Sequence, residues 1–184
     1  AAFLASRDAM VTYPLDKVNP LAGTIEFFVK TRWAGRDDGA EILLACTGGN
    51  FDPPGHLSIR LGGKPRQQRL LFCLYAVGGT HYAAIPLKSW ADNAWNHIAA
   101  MWNVDAAHPE NNRLVVYLNG ETNARAANMA AVSDVRLKDP LSFGNRPVSS
   151  ERLLAFPLVV MDELRIYDRP IPVEALSMER VVER

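Results

Sequence analysis

The amino-acid sequence predicts an all-β fold, a sandwich or a barrel of antiparallel strands. Apolar or alternating runs are short, and turn residues separate them about every 8–14 residues. No run has the length and period of the helix that a βαβ unit needs. The pattern corresponds to about ten to twelve strands.

The predicted strands follow one another with glycine, proline or polar residues between them. In the first long run, Gly23–Lys30, even-numbered and odd-numbered side chains face opposite sides. Asn119-Gly120 predicts a two-residue hairpin turn, because both residues tolerate positive φ. A short helix is predicted over residues 171–178, since Pro172 suits a first helical turn. The other runs are Glu41–Cys46, His56–Leu61, Leu70–Val77, His81–Leu87, Asn96–Val104, Arg113–Leu118, Pro140–Asn145 and Val159–Tyr167.

Length and charge exclude several classes of protein. The chain has 184 residues, which predicts one domain over residues 1–184. Lys and Arg number 20, as do Asp and Glu, and this balance argues against a nucleic-acid partner. No apolar run is long enough to span a membrane, and the first ten residues lack the basic start and apolar stretch of a signal peptide.

The two cysteines, Cys46 and Cys73, lie in runs separated by a third strand-like run. If the three form a meander, the outer two strands lie about twice 4.8 Å apart. A disulfide needs Cα atoms within about 7 Å. Both cysteines are therefore predicted to be free, buried thiols.

Several motifs in the correct order resemble a known family. They are GTIEFFVK, WNHIAAMWN, LVVYLNGE, FGN and MDELRIYDRPIPVEAL, and they cover roughly Gly23 to Leu176. The chain resembles a laminin-G-like domain of the concanavalin A-like lectin/glucanase superfamily. The resemblance implies a jelly roll of two antiparallel sheets, a carbohydrate or protein ligand, and a location outside the cell, in the periplasm or at the cell surface. It also implies a calcium ion at the rim of the sandwich.

Asp162 is the first candidate metal ligand. Alternation along the last strand places it on one face with Leu164 and Ile166, which are expected to point into the core. A carboxylate there is costly unless it is paired or bound to metal. The resemblance implies one structural calcium ion at Asp162, and Asp8, in the N-terminal stretch, is the candidate second ligand. The alternative is a carboxylate satisfied by backbone N–H groups or by an arginine.

The candidate ligand-binding residues are aromatic, basic or acidic side chains near predicted turns. Trp33 could stack on a sugar ring, although packing at the sandwich edge is the alternative. His81 and Tyr82 begin a strand that could border a ligand. Arg60 and Arg66 belong to a basic cluster with Lys64 and Arg69, which could attract an acidic polysaccharide or form a solvated hairpin tip. Asp52 lies in a polar loop suited to sugar hydroxyls or calcium.

The function expected from these features is a non-catalytic binding module, with carbohydrate as its ligand. The alternative is a structural or protein-interaction module that docks on a neighbouring domain or subunit or forms an oligomer, motivated by the apolar stretch Leu153–Met161. An enzyme that degrades polysaccharides is disfavoured. The ExDxxE pattern of the glucanase branch is absent, and Asp162 and Glu163, as neighbours on a strand, are expected to face opposite sides.

Overall fold

A computed structural model describes residues 2–4, 10–31, 42–47, 56–62, 68–76, 79–126, 129–144 and 159–176. The described strands form two antiparallel six-stranded sheets that pack face to face, which confirms the predicted all-β sandwich. The strands are β1 (Ala2–Leu4), β2 (Met10–Tyr13), β3 (Ala22–Thr31), β4 (Ile42–Thr47), β5 (His56–Gly62), β6 (Arg69–Ala76), β7 (Gly79–Pro86), β8 (Asn96–Asn103), β9 (Arg113–Leu118), β10 (Glu121–Arg125), β11 (Leu141–Gly144) and β12 (Val159–Tyr167).

The two sheets have different strand orders. Sheet A runs β1-β12-β3-β8-β9-β10, and sheet B runs β2-β11-β4-β5-β6-β7. We call the face that each sheet turns toward the other its inner face, and the opposite face its outer face. Because side chains alternate along a strand, one parity of each strand enters the core and the other reaches an outer face.

The described residues contain no α-helix, only short 3-10 turns. The helix predicted over residues 171–178 is wrong in its described part, which holds a single 3-10 turn, Val173–Ala175, and returns to extended backbone at Leu176. Starting an α-helix is unfavourable in free energy, and a single turn forms too few hydrogen bonds to offset this. The described chain has no helix long and apolar enough to cross a membrane. The other 3-10 turns are Leu15–Lys17, Leu87–Ser89, Pro109–Asn111 and Met129–Ala131.

Aromatic side chains join the two inner faces. Phe27 of sheet A meets Phe143 of sheet B edge-on, with ring centroids 6.1 Å apart. Trp102 of sheet A lies against Phe72 of sheet B at 6.3 Å. All four side chains are buried, and each contributes about 1.5–3 kcal/mol by leaving water.

The two cysteines lie on strands separated by a third strand, as the predicted meander requires. Cys46 on β4 pairs with Ser58 on β5, and Ser58 pairs with Cys73 on β6. One strand therefore separates the two thiols, and both are buried and outside any disulfide, which confirms the prediction. They occupy the outer face of sheet B.

The predicted hairpin at Asn119-Gly120 is confirmed and also braces β8. Asn119 and Gly120 have φ of 51° and 68°. The Asn119 side chain accepts a hydrogen bond from the His97 backbone N–H at 2.8 Å and donates to the Ser89 carbonyl at 2.8 Å. Asn96 donates to the Ala91 carbonyl at 2.8 Å. Two of the motifs that carry the family resemblance, WNHIAAMWN and LVVYLNGE, are thus joined by hydrogen bonds.

Gly23 is predicted to be intolerant of a side chain. It pairs with Trp102 across β3 and β8, and a Cβ at this position would collide with the indole ring. The ring is fully buried and donates to the Pro20 carbonyl at 3.2 Å, so it has little room to move. We expect Gly23→Ala to lower the free energy of unfolding by about 1–3 kcal/mol in urea denaturation.

A double-mutant cycle provides the control for this prediction. In a Trp102→Phe background the ring is smaller, so Gly23→Ala should lower the free energy of unfolding by less. An equal cost in both backgrounds would show that the collision is not its cause.

Candidate functional site

Sheet A carries a fully buried carboxylate, Glu26, on its outer face. The alternation of β3 puts Glu26 there, opposite Arg165 on β12 and Ala99 on β8. Its oxygens accept hydrogen bonds from the Tyr167 hydroxyl at 2.7 Å, from His97 Nε2 at 3.2 Å and from Arg165 Nη1 at 3.4 Å. Three donors offset the cost of removing the charge from water.

Burial sets the protonation of the groups around Glu26. It lowers the pKa of His97 below 6.5, and the opposing effect of the hydrogen bond to Glu26 is smaller. The His97 ring is therefore neutral at pH 7, with its proton on Nε2 facing the carboxylate. Burial, followed by the hydrogen bond to Glu26, raises the pKa of Tyr167. The arrangement keeps one negative charge facing neutral donors and Arg165.

A β-bulge in β12 overturns the predicted orientation of Asp162. Met161 pairs with Val29 and Asp162 with Phe28, but the pairing then shifts so that Arg165 pairs with Glu26. Glu163 is the extra residue, with φ of 50°, and a bulge reverses the alternation beyond it. Asp162 therefore lies on the outer face with Phe28, whereas Leu164 and Ile166 pack against the core. The prediction that these three residues share a face was wrong.

Of the two predicted calcium ligands, the structure describes only Asp162. The Asp162 carboxylate accepts a hydrogen bond from the Glu163 backbone N–H at 3.0 Å. Nowhere in the described ranges do three or more His, Cys, Asp or Glu side chains form a group that could hold a metal. Asp8, the second predicted ligand, lies outside those ranges. The described donors therefore do not form a calcium shell by themselves.

The chain itself occupies much of the outer face of sheet A. After β12, Ile171 and Leu176 pack on a small apolar cluster, and the Ile171 backbone N–H donates to Thr24 Oγ1 at 2.9 Å. Thr24 in turn donates to the Arg169 carbonyl at 2.9 Å. The apolar side chains beneath this segment are Ala99, Met101, Val115 and Tyr117. A ligand would have to displace the segment to reach them.

The outer face of sheet B is exposed at its β7 edge and buried at His56 and Tyr75. Ser58, Cys73 and Tyr82 form one row across β5, β6 and β7. Ser58 and Cys73 are buried, but Tyr82 is 59% exposed. Arg60, one row further along β5, donates from Nη2 to Cys73 Sγ at 3.6 Å. The row therefore ends at an exposed aromatic ring, and the half-buried Arg60 guanidinium contacts it at Cys73.

The structure brings two of the predicted ligand-binding residues together and separates a third. Arg60 and Tyr82 lie on the same outer face, on either side of Cys73. His81 pairs with the core residue Leu74, so it belongs to the inner-face side of β7 and cannot join Tyr82. The predicted residues Trp33, Asp52 and Arg66 lie outside the described residues.

Sequence reasoning missed the Glu26 cluster. A signal was present in the run Gly23–Lys30, where Glu26 and Phe28 share a face. An aromatic residue beside a carboxylate indicates a face that is covered by other parts of the protein rather than exposed to solvent. The covering partners could not be found this way, because Arg165 and Tyr167 lie about 140 residues later in the chain.

The fold and these faces define a β-sandwich domain of the lectin type. A family model described as Laminin_G_3, concanavalin A-like lectin/glucanases superfamily, matches residues 5–177. The chain therefore belongs to this family, as its motifs predicted. No curated protein sequence matches it significantly.

Solved structures with the same fold include binding domains of bacterial toxins. The receptor binding domain of the botulinum neurotoxin C/D mosaic serotype has a TM-score of 0.61 and 12% identity, covering 94% of this chain and 40% of that one. The serotype D binding domain gives the same four values. The serotype G binding domain has a TM-score of 0.60 and 12% identity, covering 90% of this chain and 38% of that one. This chain spans less than half of each, and the likeness concerns the fold alone.

The neutral, buried His97 predicts a pH dependence of stability. Because its folded pKa lies below the ordinary 6.5, the unfolded chain binds more protons as the pH falls through 6.5, and stability declines. We expect the urea midpoint to fall more steeply between about pH 7.5 and 5.5 in the wild type than in His97→Gln, which keeps a donor but does not titrate. Parallel profiles would contradict this account.

Thermal melting of Asp162→Ala tests the calcium hypothesis. If Asp162 binds calcium, the wild type gains stability from bound metal in calcium buffer but not with a chelator. The substitution then lowers Tm in calcium buffer and has little effect on Tm with a chelator. An equal loss in both buffers would contradict the hypothesis and leave the hydrogen bond to Glu163 as the role of Asp162.

Proposed function

We propose that this chain is a non-catalytic carbohydrate-binding domain whose ligand lies on the outer face of sheet B, at the β7 edge. The observation that carries the proposal is Tyr82, which is the one exposed Phe, Tyr or Trp among the side chains that the structure describes. An exposed ring offers a flat apolar surface for a sugar ring and a hydroxyl for hydrogen bonding. Arg60, on the same face, supplies further donors.

Two further points support this placement. The outer face of sheet A is occupied by the segment that contains Ile171 and Leu176, whereas Tyr82 at the β7 edge of sheet B is exposed. The similar botulinum neurotoxin structures are described as receptor binding domains. A binding role agrees with those descriptions, although fold alone does not determine function.

The carboxylates of sheet A do not favour a hydrolytic role. Glu26 and Glu163 both contact Arg165, at 3.4 Å and 2.9 Å. Glu26 is fully buried and already accepts from three donors. A general acid or nucleophile needs contact with substrate, which this position does not provide.

A protein-interaction role is the second candidate, and β2 favours it. This strand forms an edge of sheet B, and its Met10 and Val11 are 43% and 40% exposed. An edge with apolar side chains can pair with another chain. Of the apolar stretch Leu153–Met161 that first suggested this role, Val159 and Met161 are buried in the core, and residues 153–158 lie outside the described ranges.

Substitution of Tyr82 tests the carbohydrate proposal. A glycan array identifies a bound glycan, and isothermal titration then measures its Kd. We expect Tyr82→Ala to weaken binding at least about tenfold, because the stacking surface is lost. Its free energy of unfolding should change by less than about 0.5 kcal/mol, since the side chain is exposed.

Tyr82→Phe is the matched control, and it should retain most of the affinity because the ring remains. Unchanged affinity in Tyr82→Ala would overturn the placement of the site. A blank array together with a dimer in solution would favour the protein-interaction role.

A further inference from the structure

The strand β7 is an edge of sheet B. Among the strands that the structure describes, it has a hydrogen-bonded neighbour, β6, on one side only. It is eight residues long, whereas β2 at the opposite edge has four. Its sequence, GTHYAAIP, contains no Asp, Glu, Lys or Arg. Charged side chains commonly protect an edge strand from pairing with another chain, and β7 has none.

The ladder with β6 shows which backbone groups of β7 point outward. The Leu87 N–H donates to the Gln68 carbonyl at 3.1 Å, and this pair is next in register to Arg69 and Pro86. Hydrogen-bonded and non-hydrogen-bonded pairs alternate along an antiparallel ladder. Every second residue of β7, counted back from Pro86, therefore directs its backbone away from β6. These residues are Thr80, Tyr82 and Ala84, together with Pro86, which has no N–H.

The outward-pointing residues are accessible as well. Thr80 and Tyr82 are exposed, and Ala84 is half-buried. Pro86 is exposed too, in agreement with the rule that proline occurs in a sheet where its missing N–H would face solvent. The N–H and C=O groups of Thr80, Tyr82 and Ala84 thus form an accessible edge to which another strand can add.

This edge is complementary to itself. A two-fold axis at Tyr82 places Tyr82 opposite Tyr82 of a second copy, and Thr80 opposite Ala84. Outward-pointing residues then face only one another, so the two antiparallel strands can form about six backbone hydrogen bonds. Other antiparallel registers pair fewer of these residues or bring Pro86, which cannot donate, into the ladder.

Charge also favours a second copy as the partner. Two β7 strands bring no like charges together, because neither contains an acidic residue, a lysine or an arginine. The whole chain has a formal net charge of zero, so two copies experience no net repulsion as they approach.

We propose that two copies of this chain associate through β7, by antiparallel pairing about a two-fold axis at Tyr82, so that their B sheets form one continuous sheet. Two-fold dimers are the commonest oligomers of soluble proteins. The inference goes beyond the carbohydrate proposal and does not depend on it, because backbone groups carry it. It also differs from the protein-interaction role of β2, which lies at the opposite edge of the sheet.

Sedimentation velocity over a range of protein concentrations tests the association. We expect the wild type to pass from monomer to dimer as its concentration rises. Ala84→Pro removes an outward N–H that β6 does not use, so it should raise the Kd of the dimer at least about tenfold and keep cooperative thermal melting. Val11→Lys, which changes the β2 edge, is the matched control and should leave the Kd unchanged.

An exchange of charge tests the register, and it stays informative should Ala84→Pro fail to fold. A chain with both Thr80→Lys and Ala84→Lys places lysines opposite lysines of its second copy, so it should remain monomeric. A chain with both Thr80→Glu and Ala84→Glu should remain monomeric for the same reason. An equimolar mixture of the two chains should form the dimer again, because each lysine then faces a glutamate.

The outcomes are distinct. A wild type that stays monomeric up to about 1 mM overturns the inference, and the β7 edge is then left for an extended peptide of another protein. A dimer that Val11→Lys dissociates and Ala84→Pro does not overturns the assignment to β7. A charge variant that dimerises alone, or a mixture that stays monomeric, overturns the register. No glycan enters these measurements, so failure here leaves the carbohydrate proposal standing.

Discussion

The buried carboxylate of Glu26 constrains the structure more than any other single group. A charge without access to water is tolerated only when donors surround it, and here they come from β8 and β12, the two neighbours of β3. Removing one donor would leave an uncompensated charge, so the three strands must keep their register. The bulge at Glu163 belongs to the same arrangement, because it aligns Arg165 with Glu26.

This constraint makes the two sheets unequal. Sheet A uses its outer face for internal contacts, first around Glu26 and then under Ile171 and Leu176. Those contacts stabilise the sandwich and leave less of that face for a ligand. Sheet B contributes the other half of the core without acidic residues in its described strands, and its β7 edge exposes Tyr82.

The features that depend on local pattern were predictable from the sequence. Alternation predicted the faces of β3, turn chemistry predicted the hairpin at Asn119, and strand spacing predicted free thiols at Cys46 and Cys73.

The errors have physical causes. A bulge adds one residue and reverses alternation, so Asp162 was placed on the wrong face. His81 and Tyr82 were grouped because they are adjacent in sequence, although the side chains of adjacent residues on a strand point to opposite faces of the sheet. The partners of Glu26 lie on strands far apart in sequence, and only the folded pairing brings them together.

Mapping a bound glycan by amide chemical shifts tests most directly whether sheet B is the recognition face. The protein is labelled with nitrogen-15 and titrated with a glycan that it binds. The account predicts that the largest shifts fall on residues 56–62, 69–76 and 79–86, with Tyr82 and Arg60 among them, while residues 96–103 and 159–167 change little. The largest shifts on β8 and β12, around His97 and Arg165, would contradict it, because the ligand would then occupy the face that Glu26 and the segment after β12 are held to close.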